Sequence, residues 1–200
     1  MIRVALAGGI GSGKSAGTAY LRGRGYLVLD ADEVAHEVVR PGRPAFGALV
    51  DAFGPAVLDE TGAIDRPFLA RIVFADATAR RRVEAITHPR IGEALAGALA
   101  DASGDVAFVA LPLYRAEHRV ALGLDEVWAL EVSPATALER LTVERHMDPA
   151  DARGRIAAQV SNEERRALAD RVIGNEGSLE DLYRALDDAL AALGAGARRG

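Results

Sequence analysis

Hydrophobic positions along this 200-residue chain come in two rhythms, and the switches between them outline its organisation. Val4, Ala5, Leu6 and Ala7 form an unbroken apolar run, the pattern of a strand buried on both faces. From residue 14 to about residue 24 the spacing becomes helical, and Gly25 stands where a helix-ending glycine belongs. A second apolar run, Tyr26-Leu27-Val28-Leu29, closes on Asp30. Strand, helix and strand within about thirty residues make a βαβ unit, which predicts a parallel sheet with helices on both faces.

The alternation then lapses. Between residue 31 and about residue 101 the sequence shows helical patterns and turns without a clear strand. Pro41-Gly42-Arg43-Pro44 and Phe53-Gly54-Pro55 separate short helices, and a longer helix runs from Asp76 or Thr78 to Ala100. Pro89 is expected to kink or split it. This is a helical insertion on an α/β core. Strands resume at 106–111 and 126–132, after which Ser133-Pro134 supplies an N-cap and an N1 proline for the next helix. A last short strand, 171–173, precedes Gly174-Asn175-Glu176-Gly177. Ser178, with Asp181 three residues on, starts a final helix that carries Leu179, Leu182, Leu186, Leu190 and Leu193 on one face. The tail from Gly194 is expected to fray, and the chain has no internal repeat.

Half the residues are hydrophobic, enough for a sizeable core. The formal net charge of −5 argues against a general binder of nucleic acid or membrane surfaces. Without cysteine there is neither a disulfide framework nor a thiolate metal site. No signal peptide opens the chain and no apolar run approaches 18 residues, so a cytoplasmic protein is expected.

Between the first strand and the first helix lies Gly8-Gly9-Ile10-Gly11-Ser12-Gly13-Lys14-Ser15. This is the G-x-x-x-x-G-K-S phosphate loop, whose backbone N–H groups cradle phosphates at a helix N-terminus. Lys14 can reach the β- and γ-phosphates, and the Ser15 hydroxyl suits Mg²⁺. Of 24 basic residues 23 are arginine, and the one lysine is Lys14. A compact ammonium fits within the loop where a planar guanidinium does not.

Asp30 and Asp32 end the second strand, where ligands of open parallel sheets bind. Either carboxylate could orient an attacking hydroxyl or help hold Mg²⁺, and either could instead cap the next helix. Arg140, Arg145, Arg153, Arg155, Arg165 and Arg166 crowd residues 140–166. Most read as surface positions in an arginine-biased chain; Arg140 is the best candidate to stabilise a transferring phosphoryl group, with Arg145 next. His36, His88, His118 and His146 show no metal-ligand spacing. Asp59-Glu60-Thr61-Gly62 is read as a turn, and a guanine-reading N-K-x-D is impossible with Lys14 the only lysine.

Taken together, these stretches resemble the dephospho-CoA kinase family nearly end to end. The resemblance is carried by the phosphate loop, Leu29-Asp30-Ala31-Asp32 with His36, and Pro41-Gly42-Arg43-Pro44-Ala45. Phe53-Gly54, Ile64-Asp65-Arg66, Val73-Phe74-Ala75-Asp76, His88-Pro89 and Pro112-Leu113 continue it. Arg155-Ile156-Ala157-Ala158-Gln159 and residues 169–177 complete it.

It implies a three-layer P-loop kinase fold with a five-stranded parallel sheet. The core would be 1–31, 106–139 and 167–194, with a helical CoA-binding insertion at about 32–105 and a helical lid at about 140–166. It implies ATP-dependent phosphorylation of the ribose 3′-hydroxyl of dephospho-CoA, giving coenzyme A and ADP. Asp32 would take or orient the hydroxyl proton, and Lys14 and Arg140 would assist transfer. Residues Gly8 to Ala16, with Arg145 and Asn175, would hold ATP, Asn175 near the adenine, and Ser15 would hold Mg²⁺. Asp32, His36, Arg66 and His88 would bind the acceptor. The expected partners are ATP and dephospho-CoA, without nucleic acid or membrane, in a monomer or weak homo-oligomer.

The chain departs from the family pattern in places. Ala16 replaces a usual threonine, removing a hydroxyl worth about 1 kcal/mol of ATP affinity. Ala110 stands where an aspartate is common, and Leu113-Tyr114-Arg115-Ala116-Glu117 differs from the usual Leu-Leu-aromatic-Glu. Two other readings remain: a P-loop kinase acting on another nucleoside, nucleotide or small metabolite, and a nucleotide-binding regulatory module without turnover.

Overall fold

The computed structural model describes residues 1–197. Strands β1 (Ile2–Gly8), β2 (Leu27–Asp30), β3 (Val106–Ala110), β4 (Glu126–Glu131) and β5 (Arg171–Gly174) form one sheet in the order β2-β3-β1-β4-β5. β1 pairs in parallel with β3 and β4, and β4 with β5. Ten α-helices are described: α1 (Lys14–Gly23), α2 (Ala31–Glu37), α3 (Pro44–Phe53), α4 (Arg66–Ala75), α5 (Ala77–Ala100), α6 (Ala116–Leu122), α7 (Pro134–Glu139), α8 (Pro149–Ala157), α9 (Asn162–Leu168) and α10 (Leu179–Ala197).

The described residues divide into two compact units, one of residues 1–28 and 103–197, the other of residues 29–102. In the first, alternation along the strands divides the residues between two faces. Val4, Leu6, Phe108, Trp128, Leu130 and Ile173 are buried together with Leu21 of α1 and Leu182, Leu186 and Leu193 of α10. On the opposite face, Val127 and Ala129 are covered from the side of α9.

Local chemistry sets the helix ends. Arg24 caps α1, and Gly25 follows at φ 87°, a left-handed conformation in which a side chain is strained. Ser133 accepts the Thr136 N–H at the start of α7 and Pro134 occupies its first turn. Ser178 and Asp181 cap α10 reciprocally: Asp181 N–H donates to Ser178 Oγ and Ser178 N–H to Asp181 Oδ2. The leucine stripe behind it is buried at 182, 186 and 193, but Leu179 is 51% exposed. It has the right angular phase, yet as the first residue of the helix it overhangs the packed surface. α10 continues to Ala197, and residues 198–200 of the tail from Gly194 lie outside the described residues.

In the second unit, α2, α3 and α4 pack on α5. Leu49, Val57 and Ile64 form its buried centre. Asp59 accepts from Thr61 N, Thr61 Oγ1 and Ala63 N, a turn held by its own side chain rather than a nucleotide switch. Pro89 neither splits nor ends α5, which is assigned as helix throughout. The proline removes the N–H that would reach Ala85 O, but Pro89 and Ala85 are both exposed, so water can take that carbonyl.

Candidate active site

The turn from β1 into α1 builds a concave row of N–H groups. Gly13 is the N-cap of α1, at φ 88°, a conformation for which glycine is suited and side chains are not. A Cβ there would also stand 2.2 Å from Asn175 Nδ2. Ser12 N–H turns back to Gly9 O. The N–H groups of Gly11, Gly13 and Ser15 have no acceptor among the described residues. Added to the positive end of α1, they form an anion site.

Two side chains, Asn175 and Arg140, brace this loop from later in the chain. Asn175, after β5, is 3% exposed and donates from Nδ2 to Ser12 O at 2.9 Å. The residue lies against the loop and holds its backbone. Arg140 donates to Gly11 O at 3.2 Å, Asn175 O at 2.8 Å and Gly177 O at 3.3 Å. It begins a π-turn, Arg140–Glu144, closed by Arg145 N–H on Arg140 O, a geometry frequent at functional sites. Glu176 accepts from Ser133 N–H and from the hydroxyls of Ser133 and Thr136. The Thr136 hydroxyl, followed by the Ser133 N–H, holds its carboxyl below the usual glutamate value.

Two further groups meet the outer side of the loop, and the sequence reading assigned neither a role. Gln159 Oε1 accepts the Ile10 N–H at 2.8 Å. Arg165 Nη2 lies 2.8 Å from where a Cβ on Gly9 would stand. Gln159 was visible only as the last residue of a motif, and Arg165 as one arginine among many. Nothing in their spacing from Gly9 and Ile10 announces the approach.

Lys14 is partly buried in the loop, Ser15 is exposed with its hydroxyl uncommitted, and Ala16 packs half-buried against the core. No cluster of three or more histidine, cysteine, aspartate or glutamate side chains suited to a metal occurs among the described residues. Mg²⁺ can be held with few protein ligands when phosphates and water supply the rest, so one free hydroxyl fits it. Arg145 is exposed, and its side chain has no partner among the described residues. In the second unit, Asp30 is the N-cap of α2, taking the Asp32 N–H at 2.9 Å. The Asp32 carboxylate is exposed and has no partner among the described residues, as do the side chains of His36, Arg66 and His88.

Similarity to known proteins agrees with this arrangement. The sequence model of the dephospho-CoA kinase family matches residues 2–181. A dephospho-CoA kinase from Thermobifida fusca is 45% identical over 183 residues, 91% of each chain. The crystal structure of TT1252 from Thermus thermophilus superposes with a TM-score of 0.78 at 32% identity, covering 96% of this chain and 97% of that one. A dephospho-CoA kinase from Campylobacter jejuni shares the fold, with a TM-score of 0.66 at 24% identity over 95% of this chain and 96% of that one. With a family match across nine-tenths of its length and a phosphate loop built as that family requires, the chain belongs to the dephospho-CoA kinases.

Proposed function

We propose that this chain transfers the γ-phosphoryl group of ATP to the ribose 3′-hydroxyl of dephospho-CoA, yielding coenzyme A and ADP. The observation that carries the reading is the loop itself: unpaired N–H groups at Gly11, Gly13 and Ser15, braced from below by Asn175 and Arg140. Such a cradle is made for a polyphosphate. Lys14 and these amides hold the β- and γ-phosphates. Ser15 holds Mg²⁺, which neutralises charge between the phosphates when bound.

Residues 32–105 supply the acceptor site, with His36, Arg66 and His88 as contacts, and residues 140–166 form the lid, with Arg145 reaching the nucleotide. The free carboxylate of Asp32 takes the proton of the attacking hydroxyl, whereas Asp30 is engaged as a helix cap. Catalysis rests on positioning and on charge stabilisation in a site closed to water. Among the described residues no helix is long and apolar enough to cross a membrane; the protein acts in the cytoplasm as a monomer or weak homo-oligomer.

The test is ATP consumption in Mg²⁺ buffer with dephospho-CoA, adenosine, AMP, shikimate and gluconate as separate acceptors. Turnover with dephospho-CoA alone, giving a product of coenzyme A mass, is expected. Tight ATP binding without turnover on any acceptor would overturn the reading in favour of a regulatory nucleotide-binding module.

A further inference from the structure

We propose that Arg165 is a catalytic residue of this kinase: its guanidinium binds the β/γ-phosphate region of ATP at the mouth of the loop and stays on the γ-phosphoryl group during transfer. This rests on the reading of the chain as an ATP-dependent kinase, and it names a residue for that site.

A Cβ on Gly9 would lie 2.8 Å from Arg165 Nη2 and 3.1 Å from its Cζ, so the guanidinium lies across a glycine that leaves room for it. Arg165 also lines both cavities beside the loop. One, of about 280 Å³, includes Gly8, Pro112, Tyr114 and Ala129. The other, of about 350 Å³, includes Gly9, Ile10, Ser12 and Ala137.

Neighbouring arginines are neutralised: Arg166 by Glu131, Arg155 by Asp151, Arg119 by Asp170. Arg140 spends its donors on three backbone carbonyls. Arg165 instead contacts only neutral amide oxygens, Asn162 Oδ1 at 2.7 Å and Gln159 Oε1 at 3.3 Å. It has no carboxylate within ion-pair distance among the described residues. Glu131 is committed to Arg166, and Glu164 to the Ser161 cap. Burial draws the Arg165 guanidinium below the ordinary arginine value, against the longer-range pull of Glu131 and Glu164. A partly desolvated cation facing neutral oxygens is a site for an anion.

Gln159 Oε1 takes one hydrogen bond from the Ile10 N–H of the loop and one from Arg165. An oxygen of the nucleotide entering there replaces Gln159 for both donors at once. Asn162 keeps the guanidinium aimed, because its own Nδ2 is tied to Val132 O at 2.8 Å. During transfer the bond from the γ-phosphorus to the β,γ-bridging oxygen breaks and the bond to the acceptor oxygen forms. The hydroxyl proton leaves to the base, and Arg165 donates to the equatorial oxygens on which charge is spread.

The experiment compares the parent with R165Q, R165K and the surface control R184Q, an exposed position on α10, reading kcat, KM, the Kd for ATP and Tm. R165Q is expected to lower kcat at least 100-fold and raise the Kd for ATP about 10-fold, one lost charge-assisted contact. R165K is expected to recover most of the ATP affinity but less of kcat, since an ammonium lacks the fork. R184Q is expected to match the parent. Because R165K keeps the charge, it guards against a fold defect in R165Q, which Tm would expose. R165Q and R165K both within threefold of the parent in kcat, with ATP Kd within twofold, overturn the proposal. If the parent itself turns over no acceptor, the functional reading fails and the catalytic role falls with it; the ATP Kd of R165Q against the parent then decides the phosphate contact alone, which is lost if the Kd is unchanged and kept if it is about 10-fold weaker.

Discussion

Asp30 and Asp32 are separated by one residue, and their side chains do different work. Asp30 is spent on the first turn of α2, whereas Asp32 stands open. Asp32→Asn keeps the shape and removes the proposed base. Steady-state kinetics should show kcat reduced by about 10²- to 10⁴-fold with KM for ATP nearly unchanged; near-parental turnover would remove Asp32 from the mechanism. Gly13 and Gly25 make a second contrast, with nearly the same backbone conformation at φ 88° and 87°. A Cβ at Gly25 meets nothing within 4 Å, but at Gly13 it meets Asn175. Gly25→Ala should therefore cost only the left-handed strain, about 1 kcal/mol, or about 2–4 °C in Tm. Gly13→Ala should cost more and weaken ATP binding at least about 10-fold, equivalent to about 1.4 kcal/mol, because Asn175 must leave Ser12 O. Calorimetry on the two variants checks both; equal effects would mean that Asn175 does not hold the loop.

Among the elements, α5 carries the clearest tension between local preference and packing. It stays helical through Pro89 although the proline forfeits a backbone hydrogen bond. Three helices packed along α5 hold it, so tertiary contact outweighs a local penalty of up to about 3 kcal/mol. Pro89→Ala should then stabilise the protein by about 1–3 kcal/mol, a rise in Tm of several degrees in a thermal scan. A lower Tm would mean that the proline fits a bend on which the packing depends. The π-turn after α7 is the other element that pattern could not supply. The wide i to i+5 closure of Arg145 on Arg140 leaves no mark in hydrophobic spacing, yet Arg140, which braces the loop, begins it.

For the molecule as a whole, acid should be the effective denaturant. Glu176, Glu164, Asp181 and Asp59 are all held below their ordinary values, 4.5 for the glutamates and 3.8 for the aspartates, by hydrogen bonds accepted as anions. Groups with depressed folded values contribute stability that is present above their ordinary values and lost as pH falls through the folded ones. Tm should be nearly level from pH 7 to about 5 and fall progressively below about 4.5. Glu176→Gln should make that fall shallower, because it removes one of the carboxylates that must be protonated. A Tm unchanged down to about pH 3 would show that these bonds persist in the unfolded chain or contribute nothing.

What the sequence determined alone is what depends on neighbours along the chain. The βαβ start, the phosphate loop, the caps at Ser133 and Ser178, the glycine at the end of α1 and the helical run after β2 all follow from residue type and short spacing. Each of these is a local balance of hydrogen bonding, backbone strain and periodic burial. Tertiary structure decided whatever joins distant positions. It put Asn175 and Arg140 under the loop, and it brought Gln159 and Arg165 to Ile10 and Gly9 across about 150 residues. It also left Leu179 uncovered and carried α5 past Pro89. An arginine on a solvated helix and one facing a phosphate loop have the same residue type and the same local spacing; only the folded chain sets how much water and which partners surround each guanidinium.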